Sequence, residues 1–327
     1  MMKQLPAIML ALLCTALSLV LAISFGAVDI HLTQIVNSEL SQLEEKIIWQ
    51  LRAPRVLLAF VAGAGLAMSG FVLQTVTRNP LADPYLFGIS SGATLGVVLL
   101  LSVGVAFSGF MLSLAAFIGS LMSVLLLMAV AISRISRQVE TLLLAGVAIS
   151  FLFGAITSLL LYWSDPQAIT AILFWNLGSF SRANWDNLLL PLLIVTLSLI
   201  FLMFSRRGLS ALLIGDETAT TLGIKVKQYR FIMLAISSLI TASIVSVAGG
   251  IGFVGLMIPH IVRQFATNSN SLILTALFGG MFMVWVDVLA RTLIEAQELP
   301  VGIITAALGS VFFLTLLYHR SHKGITR

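Results

Sequence analysis

The sequence has very little charge. Its 327 residues include only 18 Lys and Arg and 13 Asp and Glu, which together make up 9% of the chain. Long stretches contain none of these four residue types: Gln4–Val28, Val56–Thr77, Pro84–Ser133, Thr141–Ser164, Asn187–Ser205, Phe231–Val262, Gln264–Val286 and Leu299–His319. A helix needs about 20 apolar residues to cross roughly 30 Å of hydrocarbon. A soluble fold could not bury this much apolar surface, so the sequence predicts a protein that crosses a membrane many times.

The apolar stretches also lack the alternation of barrel strands. Hydrophobic residues are 59% of the chain, and the mean hydropathy is +1.08. Only helices and closed barrels pair all their backbone groups within lipid. Barrel strands alternate over about 10 residues, whereas these stretches are longer and continuous. We therefore expect an all-α, polytopic protein in which residues 1–327 form a single transmembrane domain.

Several kinds of chemistry have no residues to support them. Cys14 is the only cysteine, which excludes a disulfide within the chain and a cysteine metal cluster. The four histidines have no metal-ligand spacing with Cys, Asp or Glu, so no metal site is expected. No Gly-x-x-x-x-Gly-Lys-Ser/Thr sequence occurs, so a nucleotide would have to be bound by another chain. The net charge of +5 is not arranged as a basic patch with aromatics, so no nucleic acid partner is predicted.

The apolar stretches predict about ten transmembrane helices. Phe231–Val262 is too long for one span and short for two, and the glycines from Gly249 onward break helices, so we expect a full helix followed by a short, broken one. Pro84–Ser133 is expected to hold two spans, with a break near residues 104–109. The other predicted spans are Pro6–Phe25, Val56–Thr77, Leu142–Trp163, Leu188–Phe204, Leu272–Leu293 and Pro300–Tyr318, and a short surface helix is expected near Ala168–Leu177.

The basic residues predict the orientation. Ten spans place both termini on the same side, and most Lys and Arg fall in the inside segments if that side is the cytoplasm. The basic residues left outside are Lys46, Arg52, Arg55, Arg182 and Arg291. The sequence therefore predicts a multi-pass protein of the inner (cytoplasmic) membrane, surrounded by lipid, with both termini in the cytoplasm.

The longest inside loop, residues 206–230, has the pattern of two short helices joined at Gly215. Asp216 suits the N-cap of the second helix, where the helix dipole favours an acid, and Gly223 suits a left-handed C-terminal position. An ordinary amphipathic connector and a docking element for a cytoplasmic partner both fit this pattern.

Asp287 is the only acid within an apolar span. A buried charge in lipid needs a partner, and Arg291 lies four residues later on the same helix face. The spacing predicts a structural Asp287–Arg291 pair. A proton relay is the alternative, although no second intramembrane acid accompanies Asp287.

Six short strings resemble one family of membrane proteins. They are Arg52-Ala-Pro-Arg55, Arg78-Asn-Pro-Leu-Ala-Asp-Pro84, Leu144-Ala-Gly-Val-Ala148, Gly215-Asp-Glu-x-Ala-x-x-Leu-Gly223, Gly252-Phe-Val-Gly-Leu-Met-Ile-Pro-His260 and Glu298-Leu-Pro-Val-Gly302. In this order they resemble the permease subunits of ABC importers for iron–siderophore, haem and cobalamin, the FecCD/BtuC type. Any one string is weak, but the ordered set extends over residues 52–302.

The resemblance implies a type II ABC importer permease rather than an enzyme. It implies a homodimer, two cytoplasmic ABC ATPase subunits that use ATP and Mg, and a periplasmic or lipid-anchored binding protein that delivers the substrate. This chain would bind no cofactor. An iron chelate is the commonest cargo of the family, and haem, cobalamin and an oxyanion stay open as substrates.

The resemblance also assigns roles to residues of this sequence. The ATPase-coupling loop would contain Gly215, Asp216, Glu217, Ala219, Leu222 and Gly223. Arg52, Arg55 and Arg291 would pair with carboxylates of the binding protein, although snorkelling to lipid headgroups would also account for them. The inner gate region would contain Asp83, Pro84, Gln138, Val139 and Glu140, of which the last three are bulkier or more charged than is usual in related permeases.

Two other classes of protein compete with this interpretation. A secondary transporter would need intramembrane carboxylates for ion coupling, and a single Asp beside an Arg is poorly suited to that role. An intramembrane enzyme would need paired acids, a Ser with a His, or a zinc cluster within the spans, and the sequence shows none of these. Both alternatives predict activity of the isolated chain.

Overall fold

The computed structural model describes residues 5–26, 30, 33–34, 40–102, 108–132, 139–266, 271–294 and 297–325. Within these ranges the fold is helical and contains only one isolated bridge, between Ile294 and Gln297. The helices are α1 (Leu5–Ser24), α2 (Gln42–Lys46), α3 (Ala53–Thr77), α4 (Ile89–Leu101), α5 (Gly109–Ile132), α6 (Val139–Tyr162), α7 (Pro166–Asn176), α8 (Trp185–Ile214), α9 (Asp216–Thr221), α10 (Val226–Ala248), α11 (Val254–Val262), α12 (Ser271–Thr292) and α13 (Val301–Ile325). A π-helical segment, Ile47–Arg52, joins α2 to α3, and a 3-10 turn, Pro84–Phe87, precedes α4.

The predicted number of spans agrees with these helices. In the described part of the chain, eight helical stretches are long and apolar enough to cross a membrane. The shorter apolar helices α4 and α11 correspond to the two remaining predicted spans, and α7 to the predicted surface helix. The chain is therefore an all-α, polytopic membrane protein.

Helix α8 differs from its predicted bounds. We expect a span over Leu188–Phe204 and two short helices in residues 206–230, but α8 continues from the span without a break to Ile214. At 1.5 Å per residue its 30 residues extend about 45 Å, so the helix is longer than the hydrocarbon is thick. The helix passes through Gly208, and the ring of Tyr229 packs against this glycine.

Helix α3 forms the centre of the bundle. Its most apolar window is 89% buried, against 17% for the corresponding windows of α1 and α13. Gly63 faces the backbone of Gly279 on α12, and Gly70 faces the backbone of Gly255 on α11, so closely that neither leaves room for a methyl group. Small residues allow this approach in lipid, where the hydrophobic effect supplies no pairing force between helices.

The break between α10 and α11 is held by its neighbours. Ser179 donates from its backbone to the carbonyl of Ala248 (2.9 Å), and the backbone of Ile251 donates to the hydroxyl of Tyr85 (2.7 Å). Gly249 has a φ of 72°, which suits glycine. Irregular backbone at membrane depth is tolerated where protein satisfies it, and this is the case here.

Candidate functional site

The described residues place charge at the two ends of the bundle. Because α3 begins near Arg55 and ends before Arg78, these residues mark opposite ends. We call the end with Arg52, Arg55, Asp287, Arg291 and Glu298 the Asp287 face. We call the opposite end, with Arg78, Arg206, Asp216, Arg230 and Arg263, the basic face.

At the Asp287 face, Asp287 is the centre of an ion-pair cluster. Its side chain is 1% exposed, and its Oδ1 lies 2.9 Å from Nε of Arg55. Arg291, the partner predicted from the sequence, lies on the other carboxylate oxygen at a longer distance of 3.4 Å. Arg55 also binds Glu298, with 2.7 Å between Nη1 and Oε1. Two arginines and two acids therefore meet in one cluster.

Arg52 and Arg291 also bind the end of α1. Arg52 donates to the backbone carbonyls of Ile23 and Ser24, both at 2.9 Å. Arg291 donates to the carbonyls of Ala22 (3.0 Å) and Phe25 (3.3 Å). The last carbonyls of a helix have no partner within the helix and carry partial negative charge, so two guanidinium groups at this position stabilise it.

The three arginines assigned to docking are therefore engaged within the chain. Arg52 is 5% exposed, and the side chains of Arg55 and Arg291 are nearly buried. Their pairing with a binding protein stays a prediction. Sequence reasoning missed the Arg55–Asp287 and Arg55–Glu298 pairs. The available signal was that a lone intramembrane acid needs a basic partner. Arg55, at the start of α3, lies at the same membrane level as Asp287, near the end of α12.

A hollow opens beside this cluster. Its wall includes Trp175, Arg182, Ala248, Glu298 and Pro300, and its empty space of about 640 Å³ is partly open to solvent. Arg182 is exposed, and the side chain of Glu298 is 46% exposed. These two residues present charge to the surface of the Asp287 face.

At the basic face, α9 is tied to two other helices through Asp216. Oδ1 of Asp216 lies 2.7 Å from Nη2 of Arg78, at the end of α3, and 2.7 Å from Nη2 of Arg230, on α10. The prediction that Asp216 caps α9 is wrong: Gly215 occupies the N-cap, and Asp216 is the first helical residue. Its carboxylate instead accepts charge-assisted hydrogen bonds from the two arginines.

The other residues of the predicted coupling loop divide into buried and exposed positions. Ala219 is buried, whereas Glu217 is exposed and Leu222 is 66% exposed. Gly223 has a φ of 80°, and the next residue donates from its backbone to the carbonyl of Ala219 (3.0 Å), which is the left-handed helix end that the sequence predicts. Glu217 and Leu222 are therefore accessible at the surface, whereas Ala219 packs inward.

Asp83 and Pro84, from the predicted inner gate region, begin the 3-10 turn. Oδ1 of Asp83 accepts a hydrogen bond from the backbone N–H of Tyr85 at 2.8 Å. The carboxyl is buried, and the loss of hydration raises the pKa of Asp83 to about 6. Tyr85 in turn binds Ile251, so this segment contacts the break between α10 and α11. Val139 and Glu140 begin α6, while Gln138 lies outside the described residues.

Metal binding finds no support in the part of the chain that the structure describes. These residues include no group of three or more His, Cys, Asp or Glu that could hold an ion. The polar groups at both ends of the bundle are instead arranged to tie helices together.

Comparisons with known proteins give one consistent result. The FecCD transport family matches residues 13–319. The hemin transport system permease protein HmuU of Yersinia pestis is 36% identical over 310 residues, covering 92% of this chain and 91% of HmuU. The cobalamin import system permease protein BtuC of Halobacterium salinarum is 40% identical over 282 residues, covering 85% of this chain and 75% of its own length.

A solved structure agrees with the sequence relatives. A metal-chelate type ABC transporter in an inward-facing conformation superposes with a TM-score of 0.87 at 32% identity. The match covers 96% of this chain and 99% of that one.

Proposed function

Because this chain belongs to the FecCD transport family, we propose that it carries an iron chelate, a siderophore complex or haem, across the inner membrane by alternating access. The family makes it a permease subunit of an ABC importer, and a transport subunit rather than an enzyme. The observation that carries the mechanism is the Asp216 junction, where the short helix α9 is bonded to both α3 and α10.

The junction supplies a route for movement. A partner that pushes on α9 displaces Asp216, and the two ion pairs pass this displacement to α3 and α10. Helix α10 leads into the break at Gly249, which contacts the 3-10 turn through Tyr85. The segment containing Asp83 and Pro84 therefore responds to the position of α9, which supports its place in the inner gate region.

The assembly that fits this route is the one implied by the family. Two copies of this chain form the permease, and each copy binds one of two cytoplasmic ABC ATPases through α9. Gly215 and Gly223 lie at the ends of this helix, and Glu217 and Leu222 are exposed at its surface. The ATPases bind ATP and Mg, and this chain binds neither. The basic face is then cytoplasmic, as are both termini, in agreement with the excess of Lys and Arg there.

The Asp287 face then meets a periplasmic or lipid-anchored binding protein. Arg52, Arg55 and Arg291 form the core of this docking region, and Arg182 and Glu298 are its exposed charges. Replacing Arg55 would disturb folding as well as docking, whereas Arg182→Glu changes only an exposed charge. We expect Arg182→Glu to lower uptake without lowering the amount of folded protein.

The substrate is the finer part of the proposal. A relative named for hemin transport and one named for cobalamin import have similar sequence identity to this chain, 36% and 40%. Cobalamin or an oxyanion is the alternative cargo within the same family. An ion-coupled secondary transporter is less well supported, because Arg55 and Arg291 already neutralise Asp287, the acid such coupling would need.

A reconstituted transporter tests the cargo. The permease, its ATPase and its binding protein would be placed in proteoliposomes and offered a ferric siderophore, haem, cobalamin or molybdate, with and without ATP. We expect ATP-dependent accumulation of an iron chelate. Accumulation of cobalamin or molybdate alone would replace the cargo and keep the mechanism, whereas uptake without ATP would contradict the mechanism.

A further inference from the structure

A cleft on the basic face has a composition that the transport proposal does not use. It lies between the ends of α3, α8, α11 and α12 and encloses about 520 Å³ of empty space, part of it open to solvent. Its wall includes two arginines, three hydroxyl side chains and several apolar side chains, among them Arg206, Arg263, Thr75, Ser210, Ser271 and Met203.

Neither arginine has an acidic partner among the described residues. The ion pairs found there join other groups, and Arg263 makes only long hydrogen bonds, to the carbonyl of Phe71 (3.4 Å) and to Oγ1 of Thr75 (3.3 Å). Its guanidinium also lies 5.1 Å from the centre of the Phe71 ring. Burial lowers the pKa of Arg263, because no carboxylate offsets the loss of hydration. An anion in the cleft would supply the missing partner.

The level of the cleft in the membrane is set by α8. From Trp185 to Arg206 the helix rises about 30 Å at 1.5 Å per residue, which equals the thickness of the hydrocarbon. Arg206 is therefore at headgroup level when Trp185 is at the opposite interface. Guanidinium groups bind phosphate through short, charge-assisted hydrogen bonds, and hydroxyl groups add further donors.

The surface leading away from the cleft is apolar. Phe204 is 85% exposed, and Ile200 and Met203 of the same helix are also exposed. A soluble anion would leave this surface and the apolar wall unused, whereas a ligand with an anionic head and hydrocarbon chains would cover both. Basic pockets between membrane helices bind anionic lipid headgroups in this way.

We propose that the cleft binds the phosphate of an anionic phospholipid between Arg206 and Arg263, with the acyl chains along α8. This site is separate from α9 and does not depend on the identity of the transported substrate. It assigns a function to two arginines that take no part in the Asp216 junction.

Lipid binding to the purified full-length chain tests the proposal. The delipidated protein in neutral detergent would be titrated with phosphatidylglycerol, and the rise of the unfolding temperature would give the half-saturating lipid concentration. We expect Arg206→Gln to raise this concentration roughly tenfold, which corresponds to losing about 1.4 kcal/mol of binding. Arg207→Gln is the matched control, because Arg207 is an exposed neighbour that does not line the cleft.

Three further measurements make the result decisive. Phosphatidylcholine should give no comparable rise, and glycerol phosphate, which has the head but no chains, should give none either. Arg206→Gln with Arg263→Gln should abolish the response; if that variant fails to fold, Arg206→Gln alone decides, since its side chain is exposed. An equal response of the Arg206→Gln and Arg207→Gln variants would overturn the proposal, and an equal response to glycerol phosphate would make this a site for a soluble anion.

Discussion

Arg55 and Asp287, 232 residues apart in the chain, form a buried ion pair with 2.9 Å between Nε and Oδ1. The pair joins the start of the central helix α3 to the end of α12, two helices that also meet where Gly63 faces the backbone of Gly279. Glu298 and Arg291 complete the cluster, so its two positive and two negative charges balance. This balance explains how a carboxylate is retained within an apolar span.

Removing Asp287 should destabilise the protein strongly. Asp287→Ala leaves Arg55 and Arg291 close together without their shared acid, and breaking a buried pair in this way costs about 3–5 kcal/mol. We expect a large fall of the unfolding temperature in detergent and a low yield from the membrane.

Glu298 supplies the matched control for this prediction. It binds the same arginine, but its side chain is 46% exposed, and an exposed pair is worth about 0–1 kcal/mol. Glu298→Ala should therefore unfold close to the wild-type temperature. Similar losses for the two variants would show that burial does not set the strength of these pairs.

Asp216 should matter for transport more than for stability. Its side chain is 41% exposed, so its pairs with Arg78 and Arg230 contribute only about 0–1 kcal/mol each to folding. Asp216→Ala should leave the unfolding temperature nearly unchanged while it lowers ATP-driven uptake, because α9 loses its bonds to α3 and α10. Uptake measured at equal protein level checks this.

The matched control for Asp216 is its neighbour Glu217. Glu217 is exposed, and none of the ion pairs in the described residues includes it. If Glu217→Ala and Asp216→Ala reduce uptake equally at unchanged ATPase binding, the proposed route through Arg78 and Arg230 is wrong.

Gly70 should not tolerate even a methyl group. A Cβ at this position would overlap the backbone carbonyl of Gly255, and a backbone cannot move aside as a flexible side chain can. Gly70→Ala should cost about 1–3 kcal/mol or more through separation of α3 and α11. Thermal unfolding in detergent measures this loss.

Gly154 is the control for Gly70, because it also lies within a long apolar helix. A Cβ there meets nothing within 4 Å, and alanine favours the helix by about 1 kcal/mol. Gly154→Ala should be neutral or slightly stabilising. A loss comparable to that of the Gly70 variant would contradict the packing described for the two glycines.

Asp83 should make stability depend on pH. Its pKa is raised to about 6 from a usual value of 3.8, so between these values the folded protein binds more protons than the unfolded chain. The free energy of unfolding therefore falls as the pH rises from about 4 to about 6, and above pH 6 the whole of this loss of stability remains. A shift of this size corresponds to on the order of 3 kcal/mol.

Asp83→Asn removes this titration and keeps an oxygen that can accept the Tyr85 N–H. The variant and the wild type should have similar unfolding temperatures near pH 4, and the variant should become the more stable one by pH 7. Parallel profiles of the two proteins over this range would rule out Asp83 as the titrating group.

The sequence predicts the architecture well because lipid leaves few alternatives. Charge-free stretches define the spans, and the glycines at residues 249–252 predict the break that separates α10 from α11. The extension of α8 past Arg206 was missed, since Arg206 and Arg207 end the charge-free stretch from which the span was defined. In the structure α8 continues through Gly208, against which the ring of Tyr229 packs.

The sites were predicted only in part. Contacts within one helix could be predicted from sequence spacing, whereas contacts between helices distant in sequence could not. Arg291 is near Asp287 through helical spacing, which can be read from a sequence, whereas Arg55 is near it only through the packing of α3 on α12. Likewise, Asp216 follows a glycine and begins a helix, so it resembles a cap, but Arg78 and Arg230 reach it from other helices.

The central claim is that α9 binds an ATPase, and co-purification from the native membrane in a mild detergent tests it most directly. Leu222→Asp places a charge on the exposed surface of α9, and Gln228→Asp places the same charge on an exposed position of α10 in the same loop. We predict a near-stoichiometric ABC ATPase with the wild type and with Gln228→Asp, and its loss with Leu222→Asp. Equal retention by both variants, or wild-type protein that transports without any ATPase, would contradict the account.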